Sequence, residues 1–395
     1  MSSHLERQAI VELMIALARR PSEYGPLLEA EPAVLAFIRE EVGPRLAALG
    51  MTEQTVDGTG NLVARAGRGK GKRLILVMNA MTQPAYDMPM PFEAQIVSGA
   101  KYKIEGEVMI ARGLSEQKAN MAAMMAGIGA ALERAEPAGE LVVICCPSGE
   151  TGKHDAIADA MKTLGGTADM AIFGGTSLAI SLGNRGRIDL KLEVRGKTSH
   201  ASRPQQGANA ALAACGIVER LIAAGNGGAP HPVLGNPTLT LTGLRSFPQT
   251  SHTVQDHCVA ELDRRLVPGE DPHQVTESLR AIIDAGAPYR DPFSGLELSV
   301  KLEMGAYMYP SLVEADSPVV NAIVAAALAE AGKAVELIHL PNAFDQGYLN
   351  HLGIPTVNFG CGEYAFAHTH DDLASIDRTV AAARIFARLI GDVCG

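Results

Sequence analysis

The sequence predicts an α/β fold, a doubly wound, mostly parallel sheet, with an α+β module inserted in it. Short apolar runs at 74–78 (LILVM), 141–146 (LVVICC), 170–173 (MAIF) and 355–359 (PTVNF) have the length of buried strands. Helical patterns lie between them, notably at 115–134 and 155–164, and strands that alternate with helices pair in parallel with helices on both faces. From 187 to 303 the pattern changes to strands that alternate apolar and charged residues, the mark of a sheet with one open face.

In chain order, 4–20 and 28–49 read as helices joined by the turn-rich "RPSEYGP". Ser115 is placed to cap the 115–134 helix, with Lys118 in its first turn. Strands at 187–196, 237–244, 257–266 and 297–303, with helices at 207–223 and 273–285, make up the inserted module. The helix at 317–331 and the strand at 355–359 return to the first style. The expected domains are therefore 1–186 with 304–395, a catalytic-type α/β domain, and 187–303, a lid and dimerisation module.

Composition narrows the function. With 395 residues and 47% hydrophobic content, the chain has apolar material for a sizeable core. A formal net charge of −10 argues against nucleic acid or an anionic membrane surface as partner. No apolar run reaches the roughly 18 residues of a membrane span, and "MSSHLERQAIVELMIALARR" lacks the apolar segment and cleavage site of a signal peptide. Six cysteines without C-x-x-C spacing point to reduced thiols and a cytoplasmic location.

Chemistry is expected at the strand ends. The first apolar run ends on Asn79-Ala80-Met81, an amide and a thioether where a carboxylate or histidine is the usual occupant. Cys145, Cys146 and Ser148 end the next run, near Glu150 and His154, and a Cys or Ser with a His base is one route to acyl transfer. Adjacent residues of a strand face opposite ways, however, and buried thiols are inert core.

Longer stretches carry a resemblance. "GKTSHASRPQQGANAA" (196–211), "ARGLSEQK" (111–118), "ELDRRLVPGED" (261–271) and "GIPTVNFGCGEYAFAHTHDD" (353–372) occur in one order along nearly the whole chain. They resemble the motifs of the aminoacylase / carboxypeptidase G / acetylornithine deacetylase / succinyl-diaminopimelate desuccinylase family. The resemblance implies a two-metal hydrolase that cleaves an amide in a small, usually carboxylated substrate, in a cleft between domains. Its H-x-D falls on Asn79-Ala80-Met81, its bridging Asp on Glu116, its acidic pair on Gly149-Glu150, its E-P-T on Gly174-Gly175-Thr176 and its last ligand His on His368. Glu116, Glu150 and His368 thus remain of the expected groups, too few for a binuclear zinc site; the cofactor is none, or a single zinc or manganese ion on those three.

The resemblance also implies that His200 stabilises an oxyanion in a partner subunit's site, and that Arg265 forks onto a substrate carboxylate. His252 falls where many members carry a lid asparagine and is a substrate-binding candidate, as are Asn79 and the glycines of "FGCGE", Gly360 and Gly362, read as a loop whose N–H groups take an anion. His370, Asp371 and Asp372 extend the run after His368, with Asp372 expected in a solvated loop. The expected protein is a homodimeric, divergent amidohydrolase with Glu116, Glu150, His200 and His368 as catalytic groups. The alternatives are a non-catalytic dimeric binding protein and a lyase-type enzyme that reuses the pocket.

Overall fold

A computed structural model describes residues 2–149 and 151–395. The chain forms two compact units, one of Met1–Gly183, Leu312–Ile338 and Tyr348–Gly395, the other of Asn184–Ser311 and His339–Gly347.

The first unit is built on a mixed sheet with strands in the order Glu53–Val56, Leu62–Gly67, Glu140–Cys146, Arg73–Asn79, Met170–Thr176, Thr356–Gly362, Ile180–Asn184. Neighbours among Glu140–Cys146, Arg73–Asn79, Met170–Thr176 and Thr356–Gly362 pair in parallel, and antiparallel strands flank them on each side. Alternate side chains serve opposite faces. Leu74, Leu76 and Met78 join a core that includes helices Arg7–Ala18, Ala119–Arg134, Pro318–Ala331 and Ile376–Cys394. Ile75 and Val77 join a second core with helix Asp155–Leu164. Burial on both faces is why these strands read as unbroken apolar runs.

The structure also holds elements that the apolar runs did not announce. Helix Ile376–Cys394 is capped by Ser375, whose Oγ accepts from Arg378 N–H. The expected helix at 28–49 is interrupted by a wide π turn, Ile38–Val42, between Pro32–Phe37 and Gly43–Ala48. Pro44 has no N–H for the helical ladder, and a widened turn accommodates the missing bond. A small three-stranded sheet pairs Leu373–Ser375 with Glu107–Ile110, and Glu107–Ile110 with Gln95–Ser98. That pairing brings the 368–372 segment to the start of the 111–118 loop.

The second unit is an antiparallel sheet in the order Thr238–Phe247, His257–Leu266, Gly186–Arg195, Glu297–Met308, Tyr289–Arg290. Every second residue of Gly186–Arg195, from Ile188 to Val194, enters a core shared with helices Ala210–Gly225 and Pro272–Asp284. No helix among the described residues is long and apolar enough to cross a membrane.

Candidate active site

The parallel strands deliver their C-terminal ends to one region of the first unit. After Asn79, Ala80 N–H donates to Cys146 O at 2.8 Å and Thr82 N–H to Ser22 O at 2.9 Å, which fixes the course of the segment. Met81 is wholly buried in the core. Asn79 Oδ1 is buried and accepts no hydrogen bond among the described residues.

The 111–118 loop is a wide turn. Lys118 N–H reaches back five residues to Gly113 O at 2.8 Å. Gly113 takes φ +85°, and a Cβ there would strike the Thr82 side chain, so glycine is required on both counts. Asp372 pins this turn. Its Oδ2 accepts from Gly113 N–H at 2.6 Å and from Arg112 at 3.1 Å, and its Oδ1 accepts from Ser115 N–H at 2.8 Å. Arg112 and Asp372 are only 1% and 2% exposed. Burial pushes the Asp372 carboxyl up, against the N–H groups of Ser115 and Gly113 and the charge of Arg112.

Two expectations are corrected here. Asp372 is not in a solvated loop: the pairing of Leu373–Ser375 with Glu107–Ile110 carries it under the turn. Ser115 is not the helix cap: it lies inside the turn Leu114–Lys118, and its N–H is itself capped by the distant Asp372. Lys118, expected merely in a first turn, is fully buried. Its Nζ donates to Arg20 O at 2.7 Å and lies 5.2 Å from the Phe37 ring centre and 6.0 Å from that of Phe92. Burial pulls its amine down to about 7, against the attraction of Asp372 and Glu23.

Glu116, two residues before Lys118, keeps its carboxylate partly exposed and meets His368 Nε2 at 2.9 Å. The sequence separates this pair by more than two hundred positions, and the fold brings it together. His368 has φ +61°, a conformation few non-glycine residues adopt. The residues after it disperse to other partners: His370 pairs with Asp87 at 2.6 Å and Asp371 accepts from Tyr102 Oη at 2.9 Å.

Gly360 and Gly362 lie inside the strand Thr356–Gly362, which corrects the expectation of a glycine loop. Their role is steric. A Cβ at Gly360 would collide with Asn120 Oδ1, and one at Gly362 with Ser115 O. Glu150 lies outside the described residues. Just after it, Thr151 Oγ1 donates to Glu29 at 2.6 Å. Cys145 and Cys146 are buried in the two different cores, and burial pushes the Cys145 thiol up.

In the second unit, His200 is exposed at the end of a two-residue strand. Its Nδ1 accepts from Ser202 N–H at 3.1 Å, which assigns the ring proton to Nε2 in the neutral form. His252 has φ +61°, and its carbonyl accepts from Ala201 N–H at 2.8 Å, so both histidines stand at one tip of the unit. Arg265 forks onto Asp263 of its own strand, at 2.7 and 2.9 Å. The surrounding signature knits the turn: Asn209 Oδ1 caps helix Ala210–Gly225 by accepting from Leu212 N–H at 3.0 Å.

The mixed α/β sheet and the antiparallel module both have counterparts among known hydrolases. Residues 182–291 match the family model of the peptidase dimerisation domain. The acetylornithine deacetylase of Myxococcus xanthus is 23% identical over 348 residues, 85% of this chain and 84% of that protein. The succinyl-diaminopimelate desuccinylase of Corynebacterium glutamicum is 21% identical over 348 residues, 84% of each. The solved structure of a metallo-carboxypeptidase from Sulfolobus solfataricus superposes with a TM-score of 0.73 at 20% identity, covering 99% of both chains. With the motifs, these matches make the chain similar to the aminoacylase / carboxypeptidase G / acetylornithine deacetylase / succinyl-diaminopimelate desuccinylase family, and residues 182–291 match its dimerisation-domain model.

The metal pair implied by that family does not fit the residues present. Met81 is sealed in the core, and a side chain at Gly174 would run into Asn120. Among the described residues no three His, Cys, Asp or Glu side chains group as an ion site. Asn120 and Lys118, both central to this region, carried one legible sign: polar residues interrupting the apolar 119–131 helix and its approach.

Proposed function

We propose that the chain hydrolyses an amide C–N bond in a small polar, carboxylated molecule, with Glu116 and His368 as its acid–base pair and a degenerate metal site. The 2.9 Å contact between these side chains carries the reading, because it sets a coupled carboxylate and imidazole at the strand ends where this fold does its chemistry. The relatives, named as a deacetylase and a desuccinylase, support the reaction class.

An ionised carboxylate stabilises the imidazolium and makes the imidazole a stronger base. The pair takes a proton from the attacking water as the C–O bond forms, then returns it to the leaving nitrogen as the C–N bond breaks. Glu150 is the further carboxylate proposed for this site. His200, with its proton on Nε2, is the proposed donor to the tetrahedral oxyanion in a partner subunit's site. Arg265, His252 and Asn79 are the proposed substrate contacts. No step runs through a metal, and one zinc or manganese ion on Glu116, Glu150 and His368 is the most the donor set allows.

We also infer a homodimer through the second unit. Thr238–Phe247 is an edge strand that exposes Leu241, Leu244 and Phe247, and pairing across a two-fold axis covers such an edge. Light scattering at micromolar concentration should give twice the chain mass; a monomer refutes the dimer. The reaction is tested by screening N-acyl amino acids, ureido acids and dipeptides with the wild type and His368→Ala. Turnover that falls about a hundredfold or more in the variant is the expected result. Full activity in the variant overturns the assigned pair, and no turnover by the wild type leaves a binding protein as the better reading.

A further inference from the structure

We infer that Asn120 shuts a latent metal site: its side chain takes the space into which the end of the Met170–Thr176 strand would project a third donor beside Glu116 and His368.

Asn120 is 3% exposed, near the start of helix Ala119–Arg134. Its amide is fully engaged. Nδ2 donates to Glu116 O at 2.6 Å and to Gly175 O at 2.9 Å, while Oδ1 accepts from Cys361 N–H at 2.8 Å. One side chain thus braces the turn that bears Glu116 against the ends of two strands. A Cβ built at Gly174 would lie 2.9 Å from Asn120 Cβ, 3.1 Å from Cγ and 3.2 Å from Nδ2. Separations that short force something to move, and Asn120 cannot swing aside without breaking three hydrogen bonds in a buried place. Asn120 and any side chain at 174 therefore exclude one another.

The same geometry defines what is shut. The Asn120 amide touches both the Glu116 carbonyl and the Gly175 carbonyl, so position 174 adjoins the Glu116 turn. Glu116 and His368 already stand 2.9 Å apart. A carboxylate from 174 would raise the donors among the described residues to three, the number of protein ligands in an open zinc site. With the neutral amide in place, Glu116 and His368 are the donors left here among the described residues, and they pair with each other. The inference concerns ion binding and stands whichever reaction the chain performs.

The test compares wild type, Asn120→Gly, Gly174→Glu and the double variant, stripped with chelator and titrated calorimetrically with zinc or manganese chloride. The double variant should bind one equivalent, tighter than the wild type by about a hundredfold or more, since even an outer-shell partner alters affinity by ~10–100-fold. Glu116→Gln added to the double variant should abolish that gain. A folded double variant without gain, or Gly174→Glu alone gaining as much, overturns the inference. Gly174→Ala tests the exclusion without new charge. It should lower the melting temperature of the wild type but not that of Asn120→Gly, and equal lowering in both backgrounds refutes the exclusion even if the charged variants do not fold.

Discussion

Two parts of the same strand-end region are built in opposite ways. Behind the 111–118 turn, Arg112, Asp372 and Lys118 are buried and knitted to the backbone. In front of it, Asn79, Met81, Gly149 and Gly174 stand where the resemblance implies charged or imidazole groups. The buried frame is tightly bonded, and the site proposed in front of it is degenerate. Physical chemistry accounts for the asymmetry. Removing one partner from a buried charge network strands the other in a low dielectric, at about 3–5 kcal/mol. Removing a ligand carboxylate relieves like-charge crowding once no ion compensates it. A site of this kind can be emptied without harm to the fold, while the turn that presents it cannot be dismantled.

The largest effect should therefore come from the frame. Arg112→Ala and Asp372→Ala should each lower unfolding free energy by about 3–5 kcal/mol, measured in urea. A loss below about 1 kcal/mol in either would break the comparison, because it would make the buried pair no better than a surface one. Next comes the front of the turn. Glu116→Gln should cut turnover by about two orders of magnitude, roughly 2.7 kcal/mol in barrier, while its melting temperature stays near the wild type's. A variant that loses stability in proportion to activity would move Glu116 into the frame.

Lys118 sharpens the contrast through pH. Its amine titrates near 10.5 when unfolded and at about 7 when folded. Between those values the unfolded chain binds the extra proton, so this group makes stability rise with pH, by up to about 1.4 kcal/mol per unit. Below about pH 7 both states hold the proton and the contribution is flat. Urea midpoints from about pH 7 to about pH 9.5 should climb more steeply in the wild type than in Lys118→Met; parallel curves would mean that the buried amine stays charged. The smallest effect is expected at Cys146, 1% exposed in a strand core. Cys146→Ser should leave turnover within about twofold, whereas a nucleophilic thiol would lose nearly all of it.

The fold was legible in the sequence wherever burial on both faces wrote an unbroken apolar run, as at 74–78 and 141–146, and wherever one open face wrote an alternation, as at 187–196. The edge strand Glu53–Val56 and its neighbour Leu62–Gly67 wrote neither pattern clearly. At the site, Glu116 and His368 were legible through motif order. Asp372 was not, because nothing local distinguishes a buried carboxylate in "HTHDD" from a solvated one; its burial follows from a pairing with Glu107–Ile110 far away in the chain. Asn120 stood out only as a polar residue in an apolar helix; its role was not legible, since its partners are backbone groups of residues 116, 175 and 361.

The order in which these parts are made has a consequence for synthesis. The last buried residue of the second unit's apolar core is Leu302, with Met304 and Tyr307 packed against it. The first unit must wait, because strand Thr356–Gly362 sits inside its sheet and helix Ile376–Cys394 covers one face. At about 5–20 residues per second, the ribosome needs on the order of ten seconds to close that gap. Through that interval the Met170–Thr176 strand has an unpaired edge and the helix Ala119–Arg134 lacks its cover. The inserted module is thus the first part able to fold during translation, and the mixed sheet of the first unit is the part that most needs protection while it waits.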